Sequence, residues 1–330
     1  MHMSDALLSP AVGGTMYALS TAAGAYSVTK IKKNETEIKA PVMGVMGAFV
    51  FATQMINFTI PGTGSSGHLC GGMLLSAILG PEAGFITMIG VLLIQCLLFA
   101  DGGILALGAN VWNMAFYGCF LGGMVIWRYI MKNGMNKKKI ALASIVGSIL
   151  SLQLGAFSVV LQTLLSGVTE LPFSVFVGLM QPIHLAIGLG EGLITTAVLC
   201  FIYETRPELL DSYKESGKES KLSYKGIIGV LATVAVVIGG FLSLFASSFP
   251  DGLEWSIANV VGDTELEATG SIYESLDKVQ TSTAFFPDYA FKGSESAIGA
   301  SFVGVIGTVL VLAVCALVCM GFKKLKAGKE

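Results

Sequence analysis

The chain has 330 residues, of which 53% are hydrophobic and 13% are charged, and its mean hydropathy is +0.74. Soluble domains carry about 25% charged residues, so this composition argues against an ordinary soluble protein and for a lipid environment. The formal net charge of −2 is uninformative, and no pattern in the sequence suggests contact with nucleic acid.

Apolar runs predict an all-α integral membrane protein with nine crossings. A hydrocarbon core needs about 20 apolar residues per helix. The runs lie at 8–28, 40–57, 69–80, 83–100, 104–127, 140–166, 172–203, 226–246 and 296–321. The third run has 12 residues and would be about 18 Å long as a helix. This short length is also typical of a re-entrant half-helix, but the distribution of Lys and Arg between the loops favours a crossing.

Basic residues give this topology its sidedness. With nine crossings, all but two (Lys278 and Lys292) of the 20 Lys and Arg residues fall on one side. The positive-inside rule makes that side cytoplasmic. We therefore expect a plasma-membrane protein with an external amino terminus, a cytoplasmic carboxyl terminus and external loops at 58–68, 101–103, 167–171 and 247–295.

The same pattern divides the chain into two parts. Residues 1–205 form a predicted seven-span unit with short loops, and residues 206–221 form a polar cytoplasmic linker. Residues 222–330 form a predicted two-span hairpin around the external segment 247–295, in which acidic residues outnumber lysines.

The three histidines are all predicted to lie outside or within the membrane. The terminal amine of Met1, the amide nitrogen of His2 and its imidazole can form adjacent chelate rings around one ion. His68, in an external loop, is the candidate for the remaining planar position. Square-planar nitrogen ligation favours Cu(II) or Ni(II). We expect Met1 to be retained, because no signal-peptide pattern is present and a bulky second residue disfavours its removal.

Other residues near these donors have two interpretations each. Asp5 and Ser66 are candidates to orient ligands, or they serve as a helix cap and a loop residue. Cys70 offers a soft donor, or it packs in a helix. His184 lies on one stripe of span seven with Glu191, and this stripe is either functional or a structural hydrogen-bond seam.

Several segments resemble the CbiM/NikM family, the substrate-binding membrane components of energy-coupling-factor nickel and cobalt transporters. They are MHMSD at 1–5, IPGTGSSGHL at 60–69, FADGG at 99–103, LGAN at 107–110 and QPIH at 181–184. The family usually has Gly after the first acid, where this chain has Ala6. PDGLEW at 250–255 resembles the small two-span partner component of these systems, here fused to the seven-span unit.

The resemblance implies a metal site built from the Met1 amine, the His2 amide and imidazole, and the His68 imidazole, with His184 as a neighbour. It implies capture of Ni²⁺ or Co²⁺ as cargo, without a resident cofactor. The implied partners are a transmembrane coupling protein and two ATP-hydrolysing subunits, so the chain itself is no enzyme. Nitrogen ligation leaves the choice between nickel and cobalt open.

Two other classes of protein remain as alternatives. An ion-coupled secondary transporter would use His184 and Glu191 as a proton relay. A membrane metalloenzyme would use His68 and His184, but no His-Glu-x-x-His run or comparable ligand pair accompanies them.

Overall fold

The computed structural model describes the backbone of residues 1–31, 33–214, 220–264, 266–291 and 297–327. Of the basic residues used to assign sidedness, Lys32, Lys218, Lys292 and Lys329 lie outside the described residues. Each of the nine predicted crossings contains a helix.

The helices of the first part follow the apolar runs closely. They are α1 (Pro10–Lys30), α2 (Lys33–Gln54), α3 (Gly72–Leu79), α4 (Pro81–Phe99), α5 (Leu107–Met131), α6 (Lys137–Ser166) and α7 (Phe173–Thr205). Helix α5 has wide π-type turns over Val111–Trp127. The last four of these helices are long and apolar enough to cross a membrane. A mostly helical membrane protein is therefore confirmed, whereas the count of nine crossings stays a prediction.

Helix α3 is shorter than predicted. It spans eight residues, or about 12 Å, and is buried throughout. Gly71 before it and Gly80 after it both have positive φ, +85° and +84°, a conformation that glycine adopts without strain. A Cβ on Gly118 of α5 would lie 2.7 Å from Cα of Gly72, so small residues bring the α3 and α5 backbones into contact.

The loop at 58–68, predicted to be external, is more ordered than the sequence indicates. It contains a hairpin of β1 (Phe58–Ile60) and β2 (Ser65–Gly67), antiparallel with Thr59 opposite Ser66. Gly62 and Gly64 in the turn have φ of +77° and +74°. The hairpin places His68 directly after β2, just before the start of α3.

The second part contains α8 (Tyr224–Gly240), α9 (Gly252–Val261), α10 (Ser271–Thr283) and α11 (Ala297–Ala327). Helices α8 and α11 pack together and against α2. The acidic segment 247–295, predicted only as a loop, folds into α9, which lies on α7, and α10, which lies on α4. The second part thus covers the end of the first part that carries the amino terminus.

Candidate metal centre

The amino terminus is buried in the protein. The Met1 side chain is 5% exposed and Met3 is fully buried. Asn110, in the LGAN segment, accepts a hydrogen bond from the Met3 amide (2.7 Å) and donates one to the Met3 carbonyl (3.1 Å). The Gly103 amide donates to the same carbonyl at 3.0 Å. These bonds explain how the FADGG and LGAN segments hold the first residues inward.

His68 meets the terminal amine as the sequence predicts. Its Nε2 lies 3.1 Å from the Met1 nitrogen, and its Nδ1 lies 3.1 Å from the carbonyl oxygen of Leu69. A carbonyl only accepts, so Nδ1 carries the ring proton and the lone pair of Nε2 faces the amine. His68 is therefore oriented as a nitrogen donor at the position where Met1 ends.

His2 completes the predicted group. Its ring stacks on the His68 ring, with centroids 5.3 Å apart and planes 18° apart. Its Nδ1 lies 3.0 Å from Oδ1 of Asp101, and its buried Nε2 has no hydrogen-bond partner among the described residues. Burial lowers the pKa of His2 to about 4, although Asp101 opposes the shift. The imidazole is therefore neutral near pH 7 and keeps a free lone pair.

The predicted chelate needs a rearrangement of this ring. A chelate ring that shares the His2 amide nitrogen uses Nδ1, which here faces Asp101. Rotation about the Cβ–Cγ bond would bring Nδ1 to an ion and release the Asp101 contact. The sequence did not predict the contact between His2 and Asp101. Asp101 belongs to the FADGG segment, which was recognised only as part of the family resemblance.

Asp251, in the second part, also enters this centre, and the sequence did not predict it. One carboxylate oxygen pairs with the Met1 amine and lies 3.7 Å from Nε2 of His68. Burial lowers the pKa of the Met1 amine, but Asp251 outweighs burial and leaves that pKa raised. Conversely, burial raises the pKa of Asp251, but the Met1 amine and His68 outweigh it and hold that pKa well below its usual range. A buried ammonium–carboxylate pair results.

Ser66 and Asp5 support the centre through the backbone. The Ser66 amide donates to the Pro250 carbonyl at 2.8 Å, and its hydroxyl donates to the Phe249 carbonyl at 2.7 Å. Ser66 therefore fixes the chain next to Asp251. Asp5 accepts a hydrogen bond from the Ala106 amide at 3.0 Å, whereas Ser9 caps α1.

His184 lies beside the centre, as the resemblance implies. Its Nδ1 is 2.8 Å from the Met180 carbonyl, and its buried Nε2 has no hydrogen-bond partner among the described residues. His184 and Cys70 line a small cavity of about 10 Å³ together with Met1, His68 and Asp251.

Glu191 has a structural role in the described part of the chain. It accepts hydrogen bonds from the amides of Cys70 (2.8 Å) and Gly71 (3.1 Å), at the start of α3. These bonds bind the carboxylate to the backbone at the start of α3.

Among the described residues, side chains alone do not form a ligand set: no group of three or more His, Cys, Asp or Glu could hold a metal ion. The candidate centre in this part of the chain therefore includes the terminal amine.

An acidic cavity of about 610 Å³ lies next to the centre. Both parts of the chain contribute to its walls, and His2 and Asp251 lie among its lining residues. Its other acidic residues are Asp5, Asp101, Glu254, Glu267, Glu274, Asp277 and Asp288.

A helical membrane protein with buried nitrogen donors next to an acidic cavity has the features of a transition-metal transport protein. The chain belongs to the CbiM family: a family model described as the cobalt uptake substrate-specific transmembrane region matches residues 2–209. A PDGLE domain model matches residues 225–324. The family resemblance drawn from the motifs is confirmed, and the family is one of metal transport proteins.

Relatives that are themselves fused proteins align with both parts of this chain. The putative fused nickel transport protein NikMN of Archaeoglobus fulgidus is 32% identical over 95% of this chain and 96% of its own length. The probable fused nickel transport protein LarMN of Lactiplantibacillus plantarum is 30% identical over 78% of each chain. A crystal structure named as a truncated transition metal transporter is 32% identical, with a TM-score of 0.52 over 62% of this chain and 99% of that chain.

Proposed function

We propose that this chain is the substrate-capture membrane component of an ATP-driven energy-coupling-factor importer for Ni²⁺ or Co²⁺. The observation that carries the proposal is the buried amine of Met1, which faces the Nε2 lone pair of His68 with the His2 ring stacked alongside. Nitrogen donors of this kind suit late first-row divalent ions. The names of the relatives, which are nickel transport proteins, support the same cargo.

The proposed capture proceeds from outside to inside. The acidic cavity concentrates divalent cations by its field. The Met1 ammonium and the His2 amide each release a proton, and both nitrogens then bind the ion together with the imidazoles of His2 and His68. Asp5 and Ser66 hold the surrounding backbone, and His184 stays next to the ion without binding it. Movement inward is driven by a coupling protein and two ATP-hydrolysing subunits.

The proposed topology has nine crossings, an external amino terminus and a cytoplasmic carboxyl terminus. Residues 1–205 form the seven-span unit, 206–221 the cytoplasmic linker and 222–330 the accessory hairpin. The distribution of Lys and Arg supports this sidedness. The separate family matches to residues 2–209 and 225–324 support the two-part organisation.

Metal uptake into proteoliposomes tests the proposal. We expect uptake of radiolabelled Ni²⁺ or Co²⁺ only when the coupling protein, both ATPase subunits and ATP are present. A hydrolysis-deficient ATPase subunit provides the matched control. Uptake by this chain alone, driven by a proton gradient, would contradict the proposal and favour the secondary transporter.

A further inference from the structure

The metal centre contains a carboxylate from the other part of the chain. We propose that Asp251 is itself a ligand of the transported ion, so that the centre is shared between the seven-span unit and the accessory part. This inference rests on the proposed function of the site and adds an oxygen donor to its nitrogen donors.

The geometry is that of donors around one ion. The Met1 nitrogen and Nε2 of His68 are 3.1 Å apart, and Nε2 of His68 is 3.7 Å from Oδ2 of Asp251. The same Oδ2 contacts the Met1 amine. First-row ions bind nitrogen and carboxylate oxygen at about 2.0–2.2 Å, which places neighbouring donors roughly 3–3.5 Å apart. Small shifts would let all three atoms bind one ion.

The position of Asp251 is fixed by the fold. Its Oδ1 caps α9 by accepting hydrogen bonds from the amides of Leu253 (2.7 Å) and Glu254 (3.0 Å). Ser66 holds the two residues before Asp251, and the Trp255 indole donates to the Thr63 carbonyl at 3.0 Å. One oxygen is thus used by the cap, while Oδ2 remains directed at the donors.

Gly252 allows this close approach. A Cβ at Gly252 would lie 2.8 Å from Cδ1 of Ile187 and 3.1 Å from Cε1 of His184. The start of α9 therefore sits directly against α7, and the carboxylate before it reaches Met1.

Charge supports a carboxylate at this position. The imidazoles of His2 and His68 and the unprotonated Met1 amine are neutral, and a deprotonated His2 amide supplies one negative charge, so binding through these donors alone would leave one positive charge of a divalent ion buried and uncompensated. Isolated buried charge is costly. The Asp251 side chain is 13% exposed, and its carboxylate would supply the second negative charge.

Asp251→Asn tests the inference because asparagine keeps the helix cap and removes the anionic oxygen. We expect the full-length variant to bind Ni²⁺ at least 10-fold more weakly by isothermal titration calorimetry, given that even the residues that support metal ligands contribute about 10–100-fold. With Co²⁺ bound at saturation, we expect an altered visible absorption spectrum. Asp263→Asn, in the same external segment, is the matched control and should keep both properties.

His68→Ala separates this inference from the proposed function. If His68→Ala abolishes tight binding while Asp251→Asn keeps the parental affinity or the parental Co²⁺ spectrum, Asp251 is no ligand and the inference is overturned. If the parent binds neither ion, or His68→Ala binds like the parent, the proposed site itself is wrong. Monodispersity of each variant in detergent verifies folding.

Discussion

The terminal amine of Met1 lies inside the protein, whereas the ends of most chains are solvated and mobile. An unpaired ammonium at this depth would be strongly destabilising. Asp251 supplies the compensating charge, and His68 supplies a lone pair. The Asp251 contact raises the pKa of the amine and so holds the proton until an ion displaces it, while His68 already faces the amine as a second donor. The burial of Met1 therefore has a functional interpretation.

Extension of the amino terminus by one glycine is the most direct test of this residue-scale argument. The Met1 nitrogen would become an amide without a basic lone pair, and the new amine would be displaced by up to about 3.8 Å. We expect Ni²⁺ affinity to fall by at least about 100-fold, the upper range for support residues of metal sites, with folding preserved.

A chain carrying one extra glycine after Glu330 is the matched control for that extension. Isothermal titration calorimetry measures affinity, and size-exclusion chromatography in detergent checks folding. Parental affinity in the amino-terminally extended chain would remove the terminal amine from the ligand set.

The residues of this centre differ in how far the sequence could predict them. Met1, His2 and His68 follow from histidine chemistry combined with an external amino terminus, and the structure brings these three together. Asp251 could not be predicted in the same way, because 250 positions separate it from Met1. In addition, an aspartate at this position is typical of an ordinary helix cap. The PDGLE resemblance marked the segment without indicating that it contacts the donors.

At the scale of elements, α9 and the β1–β2 hairpin determine whether both parts meet at the centre. The hairpin supplies Ser66 and leads into His68, while α9 begins directly after Asp251. Neither element contains an apolar run long enough to be predicted from hydropathy. Short helices and two-stranded hairpins depend on tertiary packing for stability, so their sequences carry little independent signal. The long apolar helices are predictable because lipid demands their length.

Gly252→Ala tests the docking of α9. The added methyl would press on Ile187 and His184, and overpacking of this kind costs about 1–3 kcal/mol. We expect α9 to move outward with Asp251 and Ni²⁺ affinity to fall by up to about 100-fold, since each 1.4 kcal/mol corresponds to a factor of ten. Isothermal titration calorimetry provides the measurement.

Gly178→Ala is the matched control, because a Cβ at Gly178 of α7 meets no atom within 4 Å. Both variants should retain the parental elution profile in detergent. Equal Ni²⁺ affinity of Gly252→Ala and Gly178→Ala would show that the position of α9 has no effect on the metal centre.

At the scale of the whole molecule, the second part covers the end of the first that carries the amino terminus and contributes acidic walls to the cavity next to the centre. Helices α8 and α11 attach this part to α2, and α9 and α10 reach α7 and α4. The excess of acids in 247–295 was predictable from the sequence. Its arrangement around one cavity was not, because the carboxylates come from separate segments of both parts.

Removing negative charge from the cavity walls should slow the association of the metal ion and leave its dissociation rate unchanged. Glu267, Glu274 and Asp277 line the cavity, and their field attracts divalent cations. For the triple variant Glu267→Gln, Glu274→Gln and Asp277→Asn, we expect the Ni²⁺ association rate at low salt to fall by roughly 10-fold, the lower end of electrostatic steering effects. The dissociation rate should be unchanged, because the nitrogen donors and Asp251 remain.

Salt provides the internal control for this last prediction. At 1 M ionic strength the Debye length is about 3 Å, so the association rates of parent and variant should converge in stopped-flow measurements. A rate difference that persists at high salt, or a faster dissociation, would show that these carboxylates contact the ion or shape the centre. Rates that agree at every salt concentration would leave the acidic segment with no part in gathering cations, although the donors around Met1 would still bind them.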